Sequence, residues 1–113
     1  MNNVYIPKTG REKMDRSTIQ SPDKIFNLVQ SYFGLTREQL LQKSKRHVIV
    51  YPRQVCQWLM WHYSAHSDRG IGIMFNQEGN NNCQNSIKTI QNYILTNPNV
   101  KAQIEELEAK LKA

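Results

Sequence analysis

Long apolar runs are missing from these 113 residues, and none approaches the roughly 18 to 20 needed to span a membrane. The first twenty residues also lack the continuous apolar stretch of a secretory signal, which leaves the cytosol as the expected compartment. Cysteine is scarce: Cys56 and Cys83 have no metal-like spacing and are expected as free, buried thiols rather than a disulfide or redox pair. The usual catalytic arrangements are absent. There is no phosphate-cradling G-x-x-x-x-G-K-[ST], no pair of carboxylates on one face, and no Cys set among His and Asp. The imidazoles are His47, His62 and His66; His62 and His66 stand four apart, but without a third ligand they make only half a metal site. No metal, cofactor or enzymatic activity is expected. Acidic residues are also few, 9 against 15 Lys and Arg, so the chain carries +6 with a pI near 9.5 and calls for an anionic partner, of which nucleic acid is the commonest.

What is present suits one compact domain with tails. Apolar residues make up 39% at a mean hydropathy of -0.65, enough Ile, Leu, Val, Trp and Tyr for a core. Residues 1 to 22 have no sustained period, contain Pro7, Gly10 and Pro22, carry +2, and read as a flexible basic arm. A further +3 falls between residues 23 and 47, whereas 98 to 113 are neutral.

The elements that follow are all helical. Ser21 and Pro22 start a first helix bearing Ile25, Phe26, Leu28, Val29, Tyr32 and Phe33, which Gly34 stops. Thr36 and Gln39 have capping-box spacing for a short second helix with Leu40 and Leu41. Val48-Ile49-Val50 resembles a strand but has no partner strand, and Pro52 is expected to open a third helix with a stripe of Val55, Cys56, Leu59, Met60 and Tyr63. Trp58 and Trp61 flank that stripe. Ser67 caps a fourth helix with Ile71, Met74 and Phe75, whose Gly70 and Gly72 suggest close approach of another helix. After a polar turn from Asn76 to Asn82, a fifth helix puts Cys83, Ile87, Ile90 and Ile94 on one face and Asn81, Asn85, Lys88 and Asn92 on the other, with Gln84 beside them. Asn97 and Pro98 begin a sixth, with a stripe of Val100, Ile104, Leu107 and Leu111 and i, i+4 pairs Glu106/Lys110 and Glu108/Lys112.

The order of parts is informative. A basic loop, a helix with Arg53 and Gln54 in its expected first turn, a short capped helix, a polar turn and an amide-rich helix are laid out as in a helix-turn-helix reader. Lys and Arg attract phosphate whatever the sequence, and Asn and Gln make bidentate bonds to adenine in the major groove.

Tyr32-Phe33-Gly34-Leu35, Leu40-Leu41, Pro52-Arg53-Gln54, Ser67 leading to Ile71-Gly72 and Phe75, then Ile87 and Ile90 together resemble the C-terminal DNA-binding domain of the bacterial replication initiator DnaA. The resemblance runs from about Asp23 to Ile94. It implies an all-α, Trp-repressor-like helix-turn-helix over residues 23 to 97, followed by a C-terminal amphipathic helix over 98 to 113. It places Lys45 where the family has the basic-loop arginine of the minor groove, and Arg53 and Gln54 at backbone- and base-contacting positions. The chain departs from the family's Arg-Asp-His-Ser/Thr-Thr-Val signature, having Glu78-Gly79-Asn80-Asn81-Asn82-Cys83 instead. A changed DNA sequence preference is therefore expected. With no room for the family's ATPase domain, a stand-alone relative, bacterial or phage-encoded and nucleoid-associated, fits better than an initiator.

Two functions follow. In the first, the chain is a monomer that binds double-stranded DNA through Lys43, Lys45, Arg46, Arg53 and Gln54, and through Asn80, Asn81, Asn82, Gln84, Asn85 and Lys88 around the fifth helix. In the second, the reading surface has decayed and the last helix or the Trp58/Trp61 face binds a protein partner.

Overall fold

A computed structural model describes residues 19–64, 66–75 and 82–112. The described residues form six α-helices and no strand: α1 (Pro22–Phe33), α2 (Arg37–Leu41), α3 (His47–Tyr63), α4 (Asp68–Met74), α5 (Asn82–Thr96) and α6 (Pro98–Lys112). The fold is all-α. The basic arm expected over residues 1 to 22 lies outside the described residues as far as residue 18.

Local signals set several boundaries. The Ser21 hydroxyl accepts from the Lys24 N–H at 3.2 Å, and Pro22 occupies the first turn of α1, where its missing N–H is no loss. Gly34 closes α1 in the left-handed region at φ 69°, a conformation that a Cβ penalises. Thr36 and Gln39 form the reciprocal capping box, with bonds of 3.1 and 2.8 Å. Ser67 accepts from Gly70 N–H at 3.0 Å to start α4, and Asn97 accepts from Asn99 and Val100 to start α6.

The third helix differs from its expected form in two respects. It begins at His47, so Pro52 lies inside it and Val48-Ile49-Val50 form its first turn. Burial of Ile49 and Pro52 holds this segment helical although Pro52 offers no N–H to the Val48 carbonyl. Its apolar surface also exceeds a stripe: every residue from Val55 to Trp61 is buried, Gln57 included. A helix buried all round is a central one. Accordingly α1, α2, α4 and α5 all pack on α3, and the α3–α5 contact is the most extensive in the fold.

The shared core joins Ile25, Phe26 and Val29 of α1 to Leu40, Leu59, Ile71, Ile87 and Ile90. Phe26 stacks on Phe75 at 5.3 Å between ring centroids, while Arg37 lies over the outer part of the cluster, 4.2 Å from the Phe26 centroid and 3.0 Å from Asp23. Cys56 and Cys83 are both buried and neither is in a disulfide, and burial pushes the Cys56 thiol pKa up. At Gly70 the atoms nearest to an added Cβ belong to Ser67 and His66 of its own capping turn rather than to a neighbouring helix of the kind its sequence suggests.

The sixth helix returns along α1 and α5, burying Ile104, Leu107 and Leu111. Its expected ion pairs with Lys110 and Lys112 do not close. Tyrosine hydroxyls take the carboxylates instead: Tyr32 donates to Glu106 and Tyr63 to Glu108, and the Lys112 ammonium sits over the Tyr63 ring.

Candidate nucleic-acid interface

The expected contact residues fall in two groups, one on the loop leading into α3 and one on α5, two helices in direct contact. The first is the loop between α2 and α3. Lys43, Lys45 and Arg46 are exposed there, and none makes an ion pair among the described residues. The loop leaves α2 at Gln42, whose extended backbone ends the helix, and it re-enters helix after Arg46. No side chain caps α3. Instead Ser44 Oγ accepts the Arg46 N–H at 3.1 Å, which turns the loop locally.

Arg53 also makes contacts within the protein that the sequence does not suggest. Its guanidinium donates to the Gln42 carbonyl through Nη1 and to the Ser44 carbonyl at 3.1 Å through Nη2. One planar fork thus holds two peptide groups of the basic loop, a geometry Lys cannot reproduce with a single ammonium. Desolvation by the surrounding loop lowers the Arg53 pKa from its ordinary value, with the group still a cation at neutral pH. Gln54, next along α3, is half-buried.

The second group lies on α5. Gln84, Asn85, Lys88 and Asn92 are exposed, and Cys83, Ser86, Ile87 and Ile90 are buried. The helix is therefore fixed by one face and presents amides and a cation on the other. Asn82 is its first residue. Asn80 and Asn81, with Glu78 and Gly79, lie outside the described residues. α4 and α5 pack on each other and both pack on α3.

Residues not among the expected contacts adjoin the loop. His47 is exposed immediately after Arg46, and its ring stacks on that of Tyr51 at 5.7 Å and 16°. Their i, i+4 spacing is the available signal, hidden by placing the helix start at Pro52. Val48 beside them is 58% exposed, a large apolar side chain at the edge of a cationic loop.

The surfaces considered for a protein partner are taken up internally. Trp58 and Trp61 are 4% and 5% exposed, so they belong to the core, and Ile104, Leu107 and Leu111 of the α6 stripe are buried against the domain, with Val100 half-buried. His62 stacks on Trp58 and meets Tyr63 edge-on, while His66 Nδ1 lies 3.1 Å from both the hydroxyl and the carbonyl of Ser64.

Comparison with known proteins agrees with this architecture. Residues 22–90 match the family model of the bacterial DnaA protein helix-turn-helix. The chain is 32% identical over 98 residues to the chromosomal replication initiator protein DnaA of Lacticaseibacillus casei, covering 87% of this chain and 22% of that protein. With the DnaA of Treponema pallidum it shares 27% identity over 90 residues, 80% of this chain and 19% of the relative. With that of Bacteroides thetaiotaomicron the figure is 24% over the same extent. The chain thus spans about a fifth of the length of these relatives. From its central α3, its capped α4 and the one-sided burial of α5 to the matched segment itself, the chain belongs to the bacterial DnaA helix-turn-helix family.

Proposed function

We propose that this chain is a duplex-DNA-binding module in which α5 enters the major groove and the α2–α3 loop engages phosphates and the adjoining minor groove. One observation carries the reading: Lys43, Lys45 and Arg46 are exposed, without carboxylate partners among the described residues, on a loop whose carbonyls Arg53 grips. Unpaired cations on an ordered loop attract a polyanion and keep little entropy to lose on binding it. On α5, Gln84 and Asn85 are the base-edge readers of this proposal and Lys88 a phosphate contact, joined by Asn82 at the start of the helix and by Asn80 and Asn81 before it in sequence. The replacement of the family signature by residues 78–83, with Glu78 bringing negative charge, supports a DNA preference different from the family's usual box. Such recognition requires no cofactor or catalytic group, and the relatives' role as chromosomal replication initiators links it to replication or its regulation.

The test is a salt titration of binding to mixed-sequence duplex. Affinity should fall steeply as salt rises, and Lys45→Ala with Arg46→Ala should lower the logarithmic slope by about one to two, one for each phosphate that the variant no longer neutralises. Absence of binding at about 50 mM salt, where phosphate attraction is strong, would reject the proposal. An unchanged slope in the double variant would place the loop away from DNA.

A further inference from the structure

We infer that Tyr51 and Gln103 are positioning residues for the basic loop, through which the C-terminal helix α6 fixes where Lys45 and Arg46 meet a nucleic-acid backbone. This rests on the DNA-binding reading above but makes a separate claim about the loop. The first turns of α3 are weakly held by their own backbone. Arg46 at the N-cap brings no side-chain cap, and Pro52 withholds the N–H that the Val48 carbonyl would accept. The Arg46 carbonyl alone receives both the Ile49 and Val50 N–H groups, at 2.9 and 2.8 Å. A helix start so poorly supported locally has to be fixed by tertiary contacts.

Tyr51 supplies them. It is one turn beyond His47, whose ring stacks on its own; Phe33 of α1 meets it edge-on at 5.9 Å and 90°, and Tyr93 of α5 lies 6.4 Å away. Its hydroxyl donates to Gln103 Oε1 at 2.8 Å, tying the α3 start to α6 across 52 residues of chain. Arg53 grips the other end of the same loop at Gln42 and Ser44. The loop is thus clamped at entry by Arg53 and at exit by the His47–Tyr51–Gln103 chain. Gln103 lies beyond residue 90, where the family match ends.

The test compares two hydroxyl deletions on the full chain. Tyr51→Phe keeps the ring contacts and removes the bond to α6; Tyr32→Phe removes another tyrosine bond to α6, that to Glu106, which ties down α1 rather than the start of α3. Tyr51→Phe and Gln103→Leu should each weaken duplex binding, by up to about fivefold if the whole net value of one hydrogen bond goes into ordering the loop, and speed amide exchange over residues 43–50. Tyr32→Phe should change neither, and Gln103→Glu, which retains an acceptor, should stay near wild type. Equal effects of Tyr51→Phe and Tyr32→Phe, in binding or in loop exchange, would overturn the inference and leave a merely structural tether. Should the wild type show no salt-dependent DNA binding, the functional reading falls, and the exchange comparison alone decides the clamp.

Discussion

Arg53 and Lys45 carry the same formal charge in one basic neighbourhood but do different things. Lys45 is exposed and free to meet an anion, whereas both terminal nitrogens of Arg53 are engaged with loop carbonyls. Charge alone therefore does not describe the site. Arg53→Lys, which preserves net charge, should weaken DNA binding severalfold, because an ammonium lacks the planar fork whose two separate nitrogens reach the two carbonyls, and the loop loses order. Fluorescence anisotropy with labelled duplex at fixed salt checks this; affinity equal to wild type would make Arg53 a simple point charge. The sequence could place a cation at position 53 and expect it on DNA. It could not place the Gln42 and Ser44 carbonyls, which lie 11 and 9 residues back and are identified only by the path of the loop.

Helix boundaries divide by the range of the forces that set them. The starts of α1, α2, α4 and α6 rest on Ser21, Thr36, Ser67 and Asn97, whose capping bonds span two or three residues and so are readable from short windows. The start of α3 is not, since Pro52 is the residue that most often opens a helix, and what moves the boundary to His47 is burial of Ile49 with a bond from Tyr51 to a residue 52 positions away. α4 is the marginal element: seven residues with glycine at 70 and 72, held by the Ser67 cap and the burial of Ile71 and Phe75. Gly70 lies in the helix, and the nearest atoms to an added Cβ stand at 3.5 and 3.9 Å, ordinary contact distances. Gly70→Ala should therefore raise stability by about 0.5 to 1 kcal/mol, through reduced freedom of the unfolded chain. Urea unfolding measures it, and a loss would mean that α4 must flex or that another group needs the space.

The six helices become one body because α6 closes over α1 and α5, with Leu107 fully buried and tyrosines from α1 and α3 reaching across to it. Its apolar stripe was visible in the sequence; the faces it covers were not, because a neutral amphipathic helix specifies that it must be covered without specifying by what. Leu107→Asp would bury an unpaired carboxylate and should lower stability by about 3 kcal/mol or more, seen as a large drop in the melting temperature of a species that sediments as a monomer. A wild-type dimer that separates in the variant with its fold intact would instead make α6 an association surface. The tyrosine tethers also predict an alkaline limit. Burial raises the Tyr51 pKa, helped by nearby Tyr32 and Tyr93, and burial followed by the Glu106 bond and charge raises that of Tyr32. A raised pKa means that the folded state favours the protonated phenol, so this contribution is complete below the unfolded value of about 10 and is lost as pH rises through the folded values. Melting temperature should fall above about pH 10, and the fall should be shallower in Tyr32→Phe/Tyr51→Phe, which has no such protons to lose. Equally steep falls in wild type and variant would leave the tethers without a share in the alkaline loss.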